Sequence, residues 1–355
     1  MNENNGAHSY KQFLNWEQKT PQTETEEFRL DQREGPVYLP DPELHLVTEI
    51  AIVTGRPLLL TGEPGSGKSS FAPFIARNLD WRYYEYNVTG RTEAKDLLWR
   101  FDALRRLRDA QVGTGKTLPD SDYYITPGVL WWAFDYKGAQ AFYEGNKFAG
   151  GKNFPVQKSE TDPLTEINRA RSGDGTVVLI DEIDKADPNV PNDLLEVIGM
   201  NSFKIDETGQ IIKRKIPSPK IKPVRPSDYG NLLIVITTNE ERDLPPAFIR
   251  RCVVHQLKEP DEESQLIAKW GQIAALHAGE NIRAHSEGEA IVQKLAERCW
   301  ALRQQTVNEI RRSPSVAEFL DALRTCFRLK ITPDSEVWNR VERSVLLKSY
   351  SQGLK

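Results

Sequence analysis

The chain has 355 residues, of which 39% are hydrophobic and 28% are charged, and its formal net charge is −4. This length and composition are typical of a globular protein with two domains or one elaborated domain. No run approaches eighteen apolar residues, and the first residues lack the basic and apolar regions of a signal peptide, so we expect a cytoplasmic protein without a membrane segment. The cysteines are widely spaced, which indicates neither a disulfide framework nor a zinc site. The negative net charge argues against indiscriminate coating of nucleic acid.

The first 40 residues are polar and include the acidic run at 23–27, so the sequence predicts an extended or partly ordered arm over residues 1–40. Apolar residues then recur at helical spacing until Gly55, which is expected to end a helix. The apolar run 57–60 predicts a strand, and a second strand is expected over 82–88. This alternation of helix and strand predicts a parallel sheet.

A phosphate-binding loop directly follows the first predicted strand. Its pattern consists of consecutive residues: Gly62, Glu63, Pro64, Gly65, Ser66, Gly67, Lys68 and Ser69. The glycines let backbone N–H groups turn toward a phosphate, Lys68 reaches the β and γ phosphates, and Ser69 offers its hydroxyl to Mg²⁺. A helix that includes Ser70 is expected next, with its positive end toward the same anion. The alternative, a flexible surface loop, is disfavoured by the strand and helix that flank the pattern.

A long stretch separates the second predicted strand from the third, which is the apolar run 176–180. Residues 96–110 have helical spacing, and a stretch this long predicts an insertion with its own structure over about 96–165. The pattern after the third strand predicts a helix over 190–200 and a hairpin within 203–228. Some aromatic residues of the insertion either contact a substrate or, as is more common beside apolar neighbours, belong to the core: Tyr123, Tyr124, Trp131 and Trp132.

Polar side chains follow the third and fourth predicted strands. Asp181 and Glu182 come directly after the third strand, and Asn239 follows the apolar run 232–236. The carboxyl ends of parallel strands meet at one edge of a sheet, where phosphates bind. We expect Asp181 to complete the Mg²⁺ shell, Glu182 to polarise the attacking water and Asn239 to orient it. Asn87 is a candidate hydrogen-bond partner of Glu182. For each of these residues the alternative is a polar side chain in a solvated turn.

Two adjacent arginines, Arg250 and Arg251, lie on a short element that begins near residue 244. Arginine stabilises charge on a transferring phosphoryl group, so one of the pair is expected to act in catalysis, the alternative being a structural ion pair. After about residue 258 the pattern becomes helical, which predicts a domain boundary there. The helices expected in this last part are 261–278, 288–304, 316–329 and 334–349.

These segments together resemble an AAA+ ATPase, and most closely the MoxR-like ATPases, which have an insertion in the second helix and another before the sensor strand. The motifs that carry the resemblance are GEPGSGKS from residue 62, VVLIDE from 177, ITTN from 236 and LPPAFIRRC from 244. The resemblance covers residues 40–350. It implies an α/β fold with a P-loop NTPase core over 41–257, in which helices flank a central parallel sheet, and a small all-helical lid domain over 258–355.

The resemblance also implies a mode of action. Such proteins hydrolyse ATP with Mg²⁺ in a ring, usually hexameric, and each nucleotide lies at a subunit interface where the neighbour supplies the arginine finger. They remodel macromolecules, often with a partner that carries a von Willebrand factor A domain, and relatives occur in bacterial antiphage defence systems.

One position departs from the family pattern. Members usually carry a second sensor arginine in the lid domain, often directly after a Ser-Pro pair, whereas here that position is Ser315. Ser315 and Glu318 instead form the pattern of a capping box for the next helix. Either Arg311 or Arg312 substitutes for the missing arginine or lid motion is weaker, and we assign the nucleotide contact to Arg312.

Basic residues dominate the segment 204–225. A hairpin at this place faces the central pore in the resembling proteins, so it either grips an acidic peptide or a nucleic-acid backbone, or is a solvated hairpin edge protected by lysines. Two functional classes therefore stay open. One is an ATP-driven remodeller of proteins. The other is a nucleic-acid-directed motor or nucleotide switch that resembles the McrB-type branch, where GTP can replace ATP.

Overall fold

The structure is a computed structural model of the chain. It describes residues 37–40, 42–112, 118–149, 168, 171, 175–218, 228–306, 313–333 and 335–346. Most of the predicted arm, residues 1–36, lies outside these ranges, as do Arg311 and Arg312. Within the described ranges, no helix is long and apolar enough to cross a membrane.

The first part of the chain alternates helices and strands. In chain order these are α1 (Pro42–Thr54), β1 (Leu58–Gly62), α2 (Lys68–Asn78), β2 (Arg82–Asn87), β3 (Trp99–Phe101), α3 (Ala103–Val112), β4 (Ile125–Pro127), α4 (Val129–Phe134), α5 (Tyr136–Ala149), β5 (Thr176–Asp181), α6 (Val190–Met200), β6 (Ser202–Lys204), β7 (Ile211–Lys213), β8 (Leu232–Thr237), α7 (Pro246–Ile249) and β9 (Val253–Leu257).

Five of these strands form the central sheet, in the order β2-β5-β8-β1-β9, and every neighbouring pair is parallel. Leu58 of β1, for example, lies opposite Val235 of β8 and Val253 of β9. The predicted parallel sheet is confirmed, but β9 was not predicted. This strand lies at the edge of the sheet and only its central residue, His255, is buried. It therefore lacks the continuous apolar run that identifies a buried parallel strand.

The sheet separates two hydrophobic clusters, because successive side chains of a strand point to opposite faces. Val177 and Leu179 of β5 pack on the face covered by α1 and α2. Val178 and Ile180 of the same strand pack on the other face, with α4 and α6. Helices on both faces of a parallel sheet confirm the α/β class.

The insertion differs in part from its prediction. A helix was predicted over 96–110, but Ala94–Leu97 is a 3₁₀ turn, β3 pairs antiparallel with β4, and α3 begins only at Ala103. Aromatic packing from the extended segment explains the difference. The Trp99 ring stacks on Phe203 with the ring centroids 5.7 Å apart, and Phe101 meets Tyr124 edge-on. These long-range contacts override the local helical spacing.

The aromatic residues singled out in the insertion belong to the core. Tyr123, Tyr124, Trp131 and Trp132 are all buried. Tyr84 of β2 stacks on Trp132, and Trp131 packs against Phe142 of α5. Burial of the whole set favours the structural interpretation over substrate contact.

The predicted hairpin forms from β6 and β7, which pair antiparallel with Phe203 opposite Ile212. Its turn is fixed to the insertion by Glu207. The Glu207 carboxylate accepts hydrogen bonds from Lys95 Nζ at 2.8 Å and from Trp99 Nε1 at 2.7 Å. Lys204 and Lys213 are exposed on the hairpin, whereas Lys220, Lys222 and Arg225 lie outside the described residues.

The last part of the chain is helical: α8 (Glu263–Ala284), α9 (Gly288–Thr306), α10 (Val316–Leu329), α11 (Glu336–Val341) and a π-helix over Glu342–Leu346. These helices enclose their own core, in which Trp270 packs on Phe319 with ring centroids 5.0 Å apart. The helices predicted over 261–278, 288–304 and 316–329 are confirmed, although α8 continues beyond Ala278 through a kink at that residue. Of the helix predicted over 334–349, the described part is α11 and the π-helix, and its last three residues lie outside the described ranges. The predicted capping box at Ser315 is present.

Candidate nucleotide site

A cavity of about 740 Å³ opens at the carboxyl ends of the strands. Residues after β1, β5 and β8 line the cavity, together with residues of α8 and α10 and the segment 37–39. The predicted site residues that line it are Pro64, Gly65, Ser66, Gly67, Lys68, Ser69, Ser70, Asp181, Glu182 and Asn239. The shared sheet edge brings these side chains together from distant parts of the sequence.

The Lys68 side chain lies against the loop that precedes it. Its Nζ donates to the carbonyl oxygens of Gly62 and Glu63, at 2.8 Å each. Burial lowers the pKa of Lys68, and nearby carboxylates oppose this shift, Asp181 most strongly. An anion at Nζ would favour the charged ammonium, so the loop is complementary to a phosphate.

The Asp181 carboxylate is the centre of a network of hydroxyl groups. Its Oδ1 accepts a hydrogen bond from Ser69 Oγ at 2.7 Å and another from Thr237 Oγ1. These oxygen groups suit Mg²⁺, which usually takes one or two protein ligands and completes its shell with water and substrate phosphates. Ser69 and Asp181 therefore fit the metal that accompanies a nucleotide.

Thr237 was not among the predicted site residues. Besides donating to the Asp181 carboxylate, its Oγ1 accepts the backbone N–H of Glu182 at 2.9 Å, so one hydroxyl binds the side chain of Asp181 and the backbone of Glu182. The sequence signal that identifies it is its position at the carboxyl end of β8, which pairs directly with β5.

Glu182 has a left-handed backbone conformation with φ 60°. Such a conformation is unfavourable for a non-glycine residue and is enriched at functional sites. Its side chain accepts two hydrogen bonds: Oε1 from Asn239 Nδ2 at 3.3 Å, and Oε2 from Lys185 Nζ. The hydrogen bond to Glu182 raises the pKa of Lys185, so this side chain remains cationic at neutral pH. Lys185 is a further site residue that sequence reasoning missed.

Residues outside the predicted set also line the cavity. The Tyr38 ring lies beside the phosphate loop and packs on Phe71 of α2, with ring centroids 5.6 Å apart. His277 of α8 and Arg324 of α10 line the cavity from the helical domain.

His277 is uncharged at neutral pH. Burial, and secondarily the charge of Arg324, lower its pKa to about 4. A neutral imidazole can both donate and accept a hydrogen bond, whereas a guanidinium only donates.

The helical domain contacts the phosphate loop directly. Arg303 of α9 forms an ion pair with Glu63, with its Nη2 3.1 Å from Oε2, and donates from Nη1 to the Pro314 carbonyl at 2.9 Å. A Cβ atom on Gly65 would lie only 2.3 Å from Ser315 Oγ. Ser315 therefore packs directly against the phosphate loop. The predicted substitute, Arg312, lies outside the described residues.

Some predicted residues are not brought into the cavity. Asn87 donates to Glu85 at 3.4 Å, so its predicted contact with Glu182 does not form. Gly62 and Glu63 do not belong to the lining either, although their carbonyl oxygens bind Lys68.

Arg250 and Arg251 are exposed and lie away from this cavity. Arg251 instead lines a second cavity, of about 920 Å³, together with Arg56 before β1 and Gly230 before β8. The second cavity is therefore at the amino ends of the strands, at the edge of the sheet opposite the nucleotide cavity.

Comparison with known protein families agrees with this geometry. Residues 57–252 match the family of AAA domains, dynein-related subfamily. The chain therefore belongs to this family, whose domain is a nucleotide-binding ATPase domain of the P-loop fold. A crystal structure of a candidate ATPase from Cytophaga hutchinsonii is similar at 13% sequence identity and a TM-score of 0.34, with 84% of this chain and 78% of that chain covered. No curated protein matches the chain.

Proposed function

We propose that the chain is an Mg²⁺-dependent, ATP-hydrolysing AAA+ enzyme of the MoxR-like branch that remodels a protein substrate or partner complex. The observation that carries the proposal is the convergence of Lys68, Ser69, Asp181, Glu182 and Asn239 on one cavity. Each of them supplies a group that hydrolysis of a phosphoanhydride requires. Membership of an ATPase family supports the same conclusion.

Each group has a role in the proposed mechanism. Lys68 exchanges the carbonyl oxygens of Gly62 and Glu63 for phosphate oxygens. Ser69 and Asp181 would hold Mg²⁺, which neutralises phosphate charge when bound. Glu182 polarises the water that attacks the γ phosphorus.

Asn239 already lies 3.3 Å from the Glu182 carboxylate, and a neutral amide there orients the water without adding charge. The base of the nucleotide occupies the part of the cavity near Tyr38, His277 and Arg324.

The active site is completed by a second copy of the chain. Arg250 and Arg251 are exposed and remote from the nucleotide cavity of their own subunit. A head-to-tail contact that places the amino-end edge of one subunit against the carboxyl-end edge of the next would bring one arginine to a neighbouring nucleotide. Repetition of this heterologous contact closes a ring, and we propose a hexamer.

The division into domains belongs to this proposal. Residues 41–257 bind the nucleotide, residues 258–355 form the lid, and the arm over 1–40 precedes both. The ion pair between Glu63 and Arg303 and the contact of Gly65 with Ser315 support a lid that responds to the phosphate loop.

The hairpin β6–β7 is the proposed contact with the substrate. Its exposed lysines, Lys204 and Lys213, suit an acidic polypeptide, and a partner with a von Willebrand factor A domain accords with the MoxR-like branch. Arg214 has a structural role instead, because it binds the side chains of Asn201 and Asn231. The same lysines also favour a second candidate function, a nucleic-acid-directed motor or switch of an antiphage defence system. Hydrolysis of ATP and GTP with and without DNA distinguishes the two, since stimulation by DNA supports only the second.

Two variants test the proposed chemistry. Lys68→Ala should lose tight ATP binding, whereas Glu182→Gln should bind ATP with unchanged affinity but hydrolyse it about 10²- to 10⁴-fold more slowly, the usual effect of losing a general base. Binding is measured by equilibrium titration and hydrolysis by phosphate release. Glu289→Gln, an exposed change in the first turn of α9, is the matched control. Normal turnover by Glu182→Gln would show that another residue activates the water.

A further inference from the structure

Both carboxylate oxygens of Glu182 are engaged within the chain. Lys185 Nζ donates to Oε2, and Asn239 Nδ2 donates to Oε1. The side chains of Lys185 and Glu182 are 41% and 36% exposed, so the ion pair remains open to solvent. Glu182, the candidate base, is therefore bound by a cation of its own subunit.

The backbone explains why these two side chains meet. Glu182 precedes the 3₁₀ turn Ile183–Lys185, and the Lys185 N–H donates to the Glu182 carbonyl at 3.0 Å. Residues i and i+3 of a 3₁₀ turn lie one above the other. The turn is also attached to the segment after β8, since Asp184 Oδ2 accepts the Glu241 N–H at 3.0 Å. Local geometry thus fixes Lys185 beside Glu182.

An ammonium group in this position restrains the carboxylate. Each oxygen keeps a further lone pair, but the charge-assisted hydrogen bond from Lys185 fixes the orientation of the carboxylate. Polarising a water requires both the charge and a suitable orientation of the carboxylate.

On the basis of the role proposed for Glu182, we propose that Lys185 is a positioning residue. It restrains the Glu182 carboxylate in the nucleotide-free chain and releases it when nucleotide binds. The restraint suppresses hydrolysis until the site is complete.

The surroundings provide Lys185 with other carboxylates. Asp184 and Glu241 both attract its charge, and Asp184 Oδ1 is buried without a hydrogen-bond partner among the described residues. The Lys68 ammonium is attracted to some of the same carboxylates, since those facing it are Asp181, Asp184, Glu240 and Glu182. A phosphate bound to Lys68 changes how these carboxylates share the two ammonium groups. A small shift of the 3₁₀ turn then moves the Lys185 ammonium from Glu182 toward Asp184 and Glu241.

Substitutions at Lys185 test the restraint. The kcat and KM for ATP are measured without any partner protein for the wild type, Lys185→Gln and Lys185→Arg, with Lys137→Gln, at an exposed position of α5, as the matched control. We expect Lys185→Gln to raise kcat roughly two- to fivefold, the range that an exposed ion pair allows, with KM unchanged. Lys185→Arg should behave as the wild type because it keeps the charge and the donors.

The contrary outcomes are distinct. An unchanged or lowered kcat in Lys185→Gln would overturn the restraint, as would parallel changes in kcat and KM, which indicate a structural role. A Lys185→Arg variant as active as Lys185→Gln would also overturn it. Glu182→Gln separates this inference from the proposed function: if it abolishes hydrolysis while Lys185→Gln changes nothing, only the restraint fails. If Glu182→Gln hydrolyses normally, the role of Glu182 as base fails, and the restraint fails with it.

Discussion

At the scale of single residues, the phosphate loop and the helical domain meet at Gly65. This residue has φ +79°, and a Cβ there would lie 2.3 Å from Ser315 Oγ. Two physical effects therefore require glycine: the left-handed backbone and the close approach of Ser315. The contact joins the phosphate loop to the beginning of α10.

Gly65→Ala should consequently destabilise the protein and weaken ATP binding. The left-handed backbone alone costs an L-residue roughly 1 kcal/mol, and the overlap with Ser315 adds about 1–3 kcal/mol more. Thermal unfolding and equilibrium ATP titration measure the two effects. Gly55→Ala is the matched control, because Gly55 has φ +65° but no atom within 4 Å of its added Cβ. Equal losses of stability in both variants would contradict a steric contact at Ser315.

The sequence predicted which residues line the site better than it predicted their hydrogen-bond partners. Lys68, Ser69, Asp181, Glu182 and Asn239 were all expected at one sheet edge because strand ends and a loop pattern indicate them directly. The partners depend on side-chain geometry. The pairing of Lys185 with Glu182 needs a left-handed residue before a 3₁₀ turn, and neither feature has a distinct sequence pattern.

At the scale of elements, the hairpin β6–β7 is positioned by Glu207. Burial alone would raise the pKa of Glu207, but the hydrogen bonds from Lys95 and Trp99 hold it below its ordinary value. Its side chain is only 16% exposed, so the hydrogen bonds are well shielded from water. Glu207 therefore couples the orientation of the proposed substrate hairpin to the insertion.

Glu207→Gln should cost roughly 1.5 kcal/mol of stability at pH 7, the lower end for hydrogen bonds to a charged group. Because its pKa in the folded chain is below the ordinary 4.5, the contribution is complete above that pH and disappears as the pH falls through the lower folded value. Chemical denaturation at pH 7 and near pH 3.5 measures this difference. Asp206→Asn, at the exposed neighbouring position, is the control. A loss of stability independent of pH would contradict the role of the Glu207 charge.

Elements with strong periodicity were predicted correctly, and those fixed by long-range contacts were not. The buried strands β1, β5 and β8 have continuous apolar runs, and α10 has a capping box at Ser315. By contrast, β3 is extended because Trp99 and Phe101 reach aromatic partners elsewhere in the fold. The edge strand β9 has exposed residues along its length, so its sequence alone does not distinguish it from a loop.

At the scale of the whole molecule, the two cavities lie at opposite edges of one sheet. The nucleotide cavity lies at the carboxyl ends of the strands, and Arg251 lies with the second cavity at their amino ends. Within one subunit, the phosphate-binding groups and the candidate arginine finger therefore lie at opposite edges of the sheet. The exposed apolar residues beside Arg251 accord with a subunit contact there, in particular Met200 and Ile216.

The most direct test of this arrangement mixes two inactive variants. Lys68→Ala subunits cannot bind nucleotide but retain Arg251, and Arg251→Ala subunits bind nucleotide but lack the finger. We predict that each alone has little ATPase activity, while a mixture recovers activity at interfaces that combine an intact nucleotide site with an intact Arg251. Parallel mixtures with Arg250→Ala identify which arginine acts. Co-assembly of the mixed subunits without activity above the sum of the separate variants would contradict a site shared between subunits.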